Sequence, residues 1–106
     1  MDNQHRRIAG YRELTQDEID LMNRIKLKGA ELLALHGELA KLLNGQSADL
    51  VRRLNEAGTS DAADAIQSEL ERRAAAEPHR WASIGKTDIE TGVMALVRAV
   101  AQPAAL

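Results

Sequence analysis

The chain has 106 residues, a formal net charge of −2 and no cysteine, with one tyrosine, one tryptophan and no phenylalanine. These figures bound it to one small domain with a modest core. They exclude disulfide and thiolate chemistry and give no bulk attraction to nucleic acid. The first residues are polar and charged, and no apolar run approaches bilayer-spanning length. Neither a signal peptide nor a membrane segment is therefore expected, and the expected compartment is the cytoplasm.

Apolar positions are dominated by Ala and Leu, which favours an all-α fold forming a single helical domain over residues 1–106. Residues 1–14 read as an N-terminal arm, in which His5, Arg6, Arg7 and Arg12 surround the lone Tyr11. Thr15 and Glu18 then form a capping box: the hydroxyl accepts from the backbone N–H of residue 18, and the carboxylate reaches back to residue 15. Asp17, Glu18 and Asp20 add negative charge where the helix dipole favours it. A long first helix is expected over about 16–43. Ile19, Met22, Ile25, Leu32, Leu39 and Leu43 trace one stripe, Leu21, Leu35 and Leu42 lie to its side, and Asn44-Gly45 reads as the stop. Such a helix is roughly 40 Å long, against a radius of gyration of about 13 Å for a compact domain of this size. Part of the stripe is left uncovered, and association with other copies is the expected solution.

Residues 45–77 read as a variable, mobile, insertion-like helical hairpin. Ser47 caps a short helix through Leu50, Val51 and Leu54 that ends at Ala57-Gly58, and Ser60 caps another through Ala62, Ala63, Ile66 and Leu70. Pro78 suits the first position of a second long helix, about 78–102, which Pro103 closes. Trp81, Ile84, Asp88, Ala95 and Val100 advance along it by turns, with Met94, Leu96 and Val97 adding apolar surface. Gly85 and Gly92 share a face, which predicts close approach of another helix or a ligand there. The two long helices should pack together.

Few motifs carry chemistry. Ser83-Ile84-Gly85-Lys86-Thr87 ends like a phosphate loop, but Arg80 stands where the pattern needs its first glycine, and no strand precedes it. His5, His36 and His79 show no metal spacing, and His36 reads as an interface or edge residue. No nucleophile–base order or carboxylate pair stands out, so no enzyme is expected. Ala57-Gly58-Thr59-Ser60 has the look of a helix-turn-helix turn, but Asp61, Asp64 and Glu69 would then face DNA phosphates, which argues against a DNA-binding regulator. The basic arm reads either as a solvated terminus or as an ordered lid over an anion. Lys26 reads either as a snorkelling lysine at the edge of the stripe or as a ligand contact. It lies roughly 15 Å along the helix, so in an antiparallel pair of chains Tyr11 of one copy reaches Lys26 of the other, and a shared pocket lies at the two-fold.

These residues, together with Arg80-Trp81, Thr87-Asp88-Ile89 and the run from Gly92 to Pro103, resemble a family of small phage proteins, the anti-CBASS sponges that sequester cyclic oligonucleotide signals. The likeness covers about residues 5–36 and 80–103. It implies a helical protomer that assembles into a hexamer, works in the cytoplasm of the infected bacterial host, and uses neither catalysis nor a cofactor. It further implies that cyclic dinucleotides bind between paired protomers, at Tyr11 and Lys26; Arg7 and Arg12 of the basic arm and Met22 are the further candidates beside them. Cyclic trinucleotides are implied to bind in separate pockets near three-fold axes, where Arg80 with Ser83 or Thr87 are the matching residues. Val93 departs from the aromatic residue expected at its place. The rival expectation is a small helical module that recognises a host protein through its apolar stripe.

Overall fold

A computed structural model describes residues 12–104 and, among them, three helices and no strand: α1 (Gln16–Glu56), α2 (Ser60–Ala76) and α3 (Pro78–Ala101). The start of α1 is set by its capping box. Glu18 N–H donates to Thr15 Oγ1 (3.2 Å), and Thr15 N–H donates to Glu18 Oε1 (2.9 Å), so two orphan donors of the first turn are satisfied reciprocally.

The end of α1 differs from expectation. The helix runs through Asn44-Gly45 to Glu56, and Ser47 caps nothing; its hydroxyl donates back to the Leu43 carbonyl at 3.2 Å. Leu43 and Leu50, on either side of Gly45 on one helix face, are buried to 7% exposure each. Burying a leucine stabilises by about 1.5–3 kcal/mol, whereas glycine inside a helix costs about 1 kcal/mol. Packing therefore carries the helix through its own stop signal. The α2 cap is Thr59 rather than Ser60: the threonine hydroxyl accepts Ala62 N–H at 3.1 Å. Glu77, in the left-handed region at φ 50°, closes α2 by donating its N–H to the Arg73 and Ala74 carbonyls, and Pro78 opens α3 at once, where its missing N–H loses no helical bond. At the far end Gln102, at φ 49°, donates to the Arg98 carbonyl (2.8 Å) and Pro103 prevents continuation.

The chain forms two compact units, one from residues up to Leu33 and from Thr87 onward, the other from Ala34 to Lys86. In the first, Ile19, Met22 and Ile25 of α1 and Ile89, Val93, Val97 and Val100 of α3 are half-buried. Gly29 is buried, and a Cβ placed on it would meet Val93 Cγ2 at 2.6 Å. Close helix approach thus falls at Gly29. Gly85 and Gly92, where another helix or a ligand is expected, face open space within this chain. In the second unit Leu43, Leu50 and Ile66 form the core. Arg73 of α2 donates to Gln46 Oε1 (2.7 Å), the Leu43 carbonyl (2.7 Å) and Ser47 Oγ (2.9 Å) on α1, with His79 Nε2 3.4 Å from both Arg73 and Ser47. His36 Nε2 donates to the Ala82 carbonyl of α3 (3.0 Å), so it is a helix-to-helix tie at the edge of the packing.

The inward rows also correct the expected stripes. Leu32 and Leu39, read as part of the packing stripe, are exposed, as are Trp81 and Met94 on α3. In the first unit β-branched residues and Met22 make up the half-buried rows while Leu21, Leu27, Leu32 and Leu96 are exposed; in the second, Leu43 and Leu50 turn inward and Leu35, Leu39 and Leu42 outward.

Candidate ligand-binding site

Of the residues expected to hold a dinucleotide, Arg7 and Tyr11 lie outside the described residues. Met22 and Lys26 stand one turn apart on α1, the first half-buried and the second exposed. Among the described residues no hydrogen bond or ion pair engages Lys26, whereas its near neighbour Lys28 is paired with Glu31 at 3.3 Å. An uncommitted ammonium beside apolar surface suits a phosphate oxygen, to which it offers charge-assisted hydrogen bonds.

Arg12 is differently placed. Its Nε donates to the Ala101 carbonyl (3.1 Å), Nη2 to the Val100 carbonyl (2.7 Å), Nη1 to Glu18 Oε1 (3.3 Å), and Nη2 also to Glu18 Oε2 in a very short contact. The hydrogen bond from Arg12 is the main reason that the Glu18 carboxyl falls to about 2, and the backbone N–H of Thr15 adds to it. The guanidinium is held above its ordinary value by the same partner.

On α3, Arg80 and Ser83 are exposed within the second unit, and Thr87 is exposed at the start of the first unit's part of the helix. The Arg80 guanidinium lies over the Trp81 ring, 5.2 Å from its centroid, and 3.5 Å from Glu77. Trp81 is 57% exposed and offers a flat face suited to stacking. From the sequence, Trp81 falls in an apolar row and, with Arg80, among the motifs of the resemblance, with no ligand assigned to it; an arginine directly before the chain's one tryptophan was the available signal.

Two of the grooves among the described residues bear on ligand binding. In the first unit a 380 Å³ groove is lined by Leu21, Ile25, Leu27, Gly29, Leu32, Val93 and Leu96, with Arg24 and Lys28 at its rim. In the second, a 490 Å³ groove carries Asp49, Arg53, Glu69, Arg72 and Arg73. Its charges satisfy one another: Arg72 holds the Glu69 carboxyl below its usual range, and Arg52, just outside, does the same for Asp49. An incoming anion would have to displace those carboxylates. The described residues contain no cluster of three or more His, Cys, Asp or Glu side chains able to hold a metal ion, and no helix long and apolar enough to cross a membrane.

Long paired helices, leucines turned outward and small polar clusters along the surface define the class of small helical-hairpin proteins. Residues 4–101 match the Acb2/Tad1 hairpin domain, and the chain belongs to that family. It is 62% identical over 108 residues to Anti-CBASS protein 2 of Pseudomonas phage JBD67, with 97% of each chain covered. The match takes in the middle segment that the resemblance at the two ends left out.

Proposed function

We propose that this protein is a phage anti-CBASS sponge, which binds cyclic dinucleotide and cyclic trinucleotide signals without hydrolysing them and so silences host antiphage signalling in the infected cytoplasm. The observation that carries this reading is the near full-length identity to Anti-CBASS protein 2. The Lys26 ammonium, without a partner among the described residues, supports it, since a cyclic dinucleotide brings two phosphates and two flat bases. Lys26 with Arg7 supplies charge, Tyr11 a stacking face worth about 1–3 kcal/mol per base, and Met22 apolar contact. Two copies of each suit a guest of near two-fold symmetry. Arg80 with Ser83 or Thr87 is proposed to hold the trinucleotide. The exposed leucines, Leu21, Leu27 and Leu32 in one unit and Leu35, Leu39 and Leu42 in the other, favour a homo-oligomer, proposed as a hexamer. They equally fit a docking face for a host protein, which is the second reading.

The test is a thermal-shift and calorimetric series with cyclic GMP–AMP and a cyclic triadenylate, because a ligand of the folded state raises apparent stability. Tyr11→Ala and Lys26→Ala should each abolish dinucleotide binding and leave the trinucleotide and the assembly untouched. Guest recovered after denaturation should be chemically intact. Linear products would make the protein an enzyme, and no shift with any cyclic nucleotide would leave the protein-docking reading.

A further inference from the structure

The contacts around His79 lie outside the candidate site, and they set a condition on the charge of its ring. His79 Nε2 is 3.4 Å from Arg73 Nη2 and 3.4 Å from Ser47 Oγ. A guanidinium keeps its charge and has no acceptor, so towards Arg73 the imidazole nitrogen can only accept. The Ser47 hydroxyl can turn its one hydrogen to the same nitrogen, because the Leu43 carbonyl it otherwise meets keeps a hydrogen bond from Arg73 at 2.7 Å. A bare Nε2 therefore suits both neighbours, which leaves the ring proton on Nδ1 and the imidazole neutral. His36 is the opposite case. Its Nε2 donates to the Ala82 carbonyl at 3.0 Å, and a second proton on that ring keeps the bond.

The other groups near His79 offer a charged ring no relief. From α1 come Gln46 and Ser47, both neutral, and from α2 comes Arg73. Glu77 in the turn and Arg80 on α3 line the same groove as His79, but they are paired with each other at 3.5 Å. Among the described residues no ion pair joins His79 to a carboxylate. His79 also stands in the first turn of α3, at the positive end of the dipole, and that turn holds no acidic residue. We infer that His79, Arg73 and Ser47 form an acid-sensitive latch within the second unit. While His79 is neutral, the latch holds the start of α3 against α1 and α2. A second proton on the ring releases that start, and Arg73 keeps its bonds to Gln46, Leu43 and Ser47. The ring is exposed, so the proton arrives without prior unfolding. An imidazole with nothing near it is half-protonated at about pH 6.5. A joint that needs the neutral ring is complete above that range and is lost as pH falls through it.

The discriminating variant is His79→Gln, since glutamine keeps an oxygen that accepts from Arg73 but takes up no proton. Amide exchange of the full chain, corrected for intrinsic rates, is compared at about pH 7.5 and about pH 5.5, on either side of the imidazole range. His5 is common to every variant and cancels in the comparison. On going to the lower pH, wild type should lose about threefold more protection at the amides of residues 81–84 than His79→Gln does, the scale of an exposed charge pair. Arg73→Gln should abolish the difference, because no cation then faces the ring. His36→Gln should respond as wild type does. Ring-nitrogen chemical shifts should place the His79 proton on Nδ1 at the higher pH. Equal losses in wild type and His79→Gln overturn the latch. So does a proton on Nε2 at the higher pH, or a wild-type response that survives Arg73→Gln. If Arg73→Gln does not fold, the His79→Gln comparison and the ring shifts decide alone.

Discussion

The unit formed by Ala34–Lys86 encloses Leu43, Leu50 and Ile66 and ties its helices with Arg73, whereas in the unit made from the chain's two ends the buried residue among those described is Gly29, with no large side chain fully enclosed. The first arrangement stabilises by removing large side chains from water. The second brings backbones close at Gly29 and fastens their ends with Arg12. Both units nevertheless leave leucines exposed, Leu21, Leu27 and Leu32 in one and Leu35, Leu39 and Leu42 in the other. The difference therefore lies in how each is held together and not in how much apolar surface it offers.

Three substitutions and one condition, acid, can break or sharpen this contrast. The largest effect is expected from Leu50→Ala, which should cost about 3 kcal/mol through lost burial and an uncollapsed cavity, read from denaturant midpoints. A loss no greater than that of the exposed Leu27→Ala would erase the distinction between the units. Next comes a pair of identical changes with opposite sign. Gly29→Ala drives a methyl into stiff, β-branched Val93, and should destabilise by about 1 kcal/mol after the gain in helix propensity is counted. Adding Val93→Ala should recover most of it. Gly45→Ala meets nothing within 4 Å and should stabilise by about 0.5–1 kcal/mol. The smallest effect concerns acid. Glu18 has its carboxyl lowered from 4.5 to about 2 in the folded chain, so its contribution is complete above pH 4.5 and is lost as pH falls through about 2. Melting of wild type and Glu18→Gln should therefore differ above pH 4.5 and converge toward pH 2.

Local signals were readable where a single turn of chain decides the outcome. Thr15 with Glu18, Pro78 and Pro103 each act on backbone groups within four residues, and each stands at the boundary expected of it. The same logic failed at Gly45, where the neighbours that matter are buried leucines rather than adjacent residues. It failed at the cap of α2 by one position, because Thr59 and Ser60 carry the same chemistry. Among the candidate site residues, Lys26 was legible as a cation beside an apolar row. The commitment of Arg12 was not, since its carbonyl partners lie 88 and 89 positions away.

Composition and capping by themselves determined that this chain is helical, where its arm meets α1, and where α3 begins and ends, since these follow from backbone hydrogen bonding over short range. Which faces turn inward, which glycine admits the neighbouring helix, and whether a given arginine is free or fastened were decided only by tertiary packing. Those outcomes depend on distances between residues far apart in the chain, and periodicity carries no record of them.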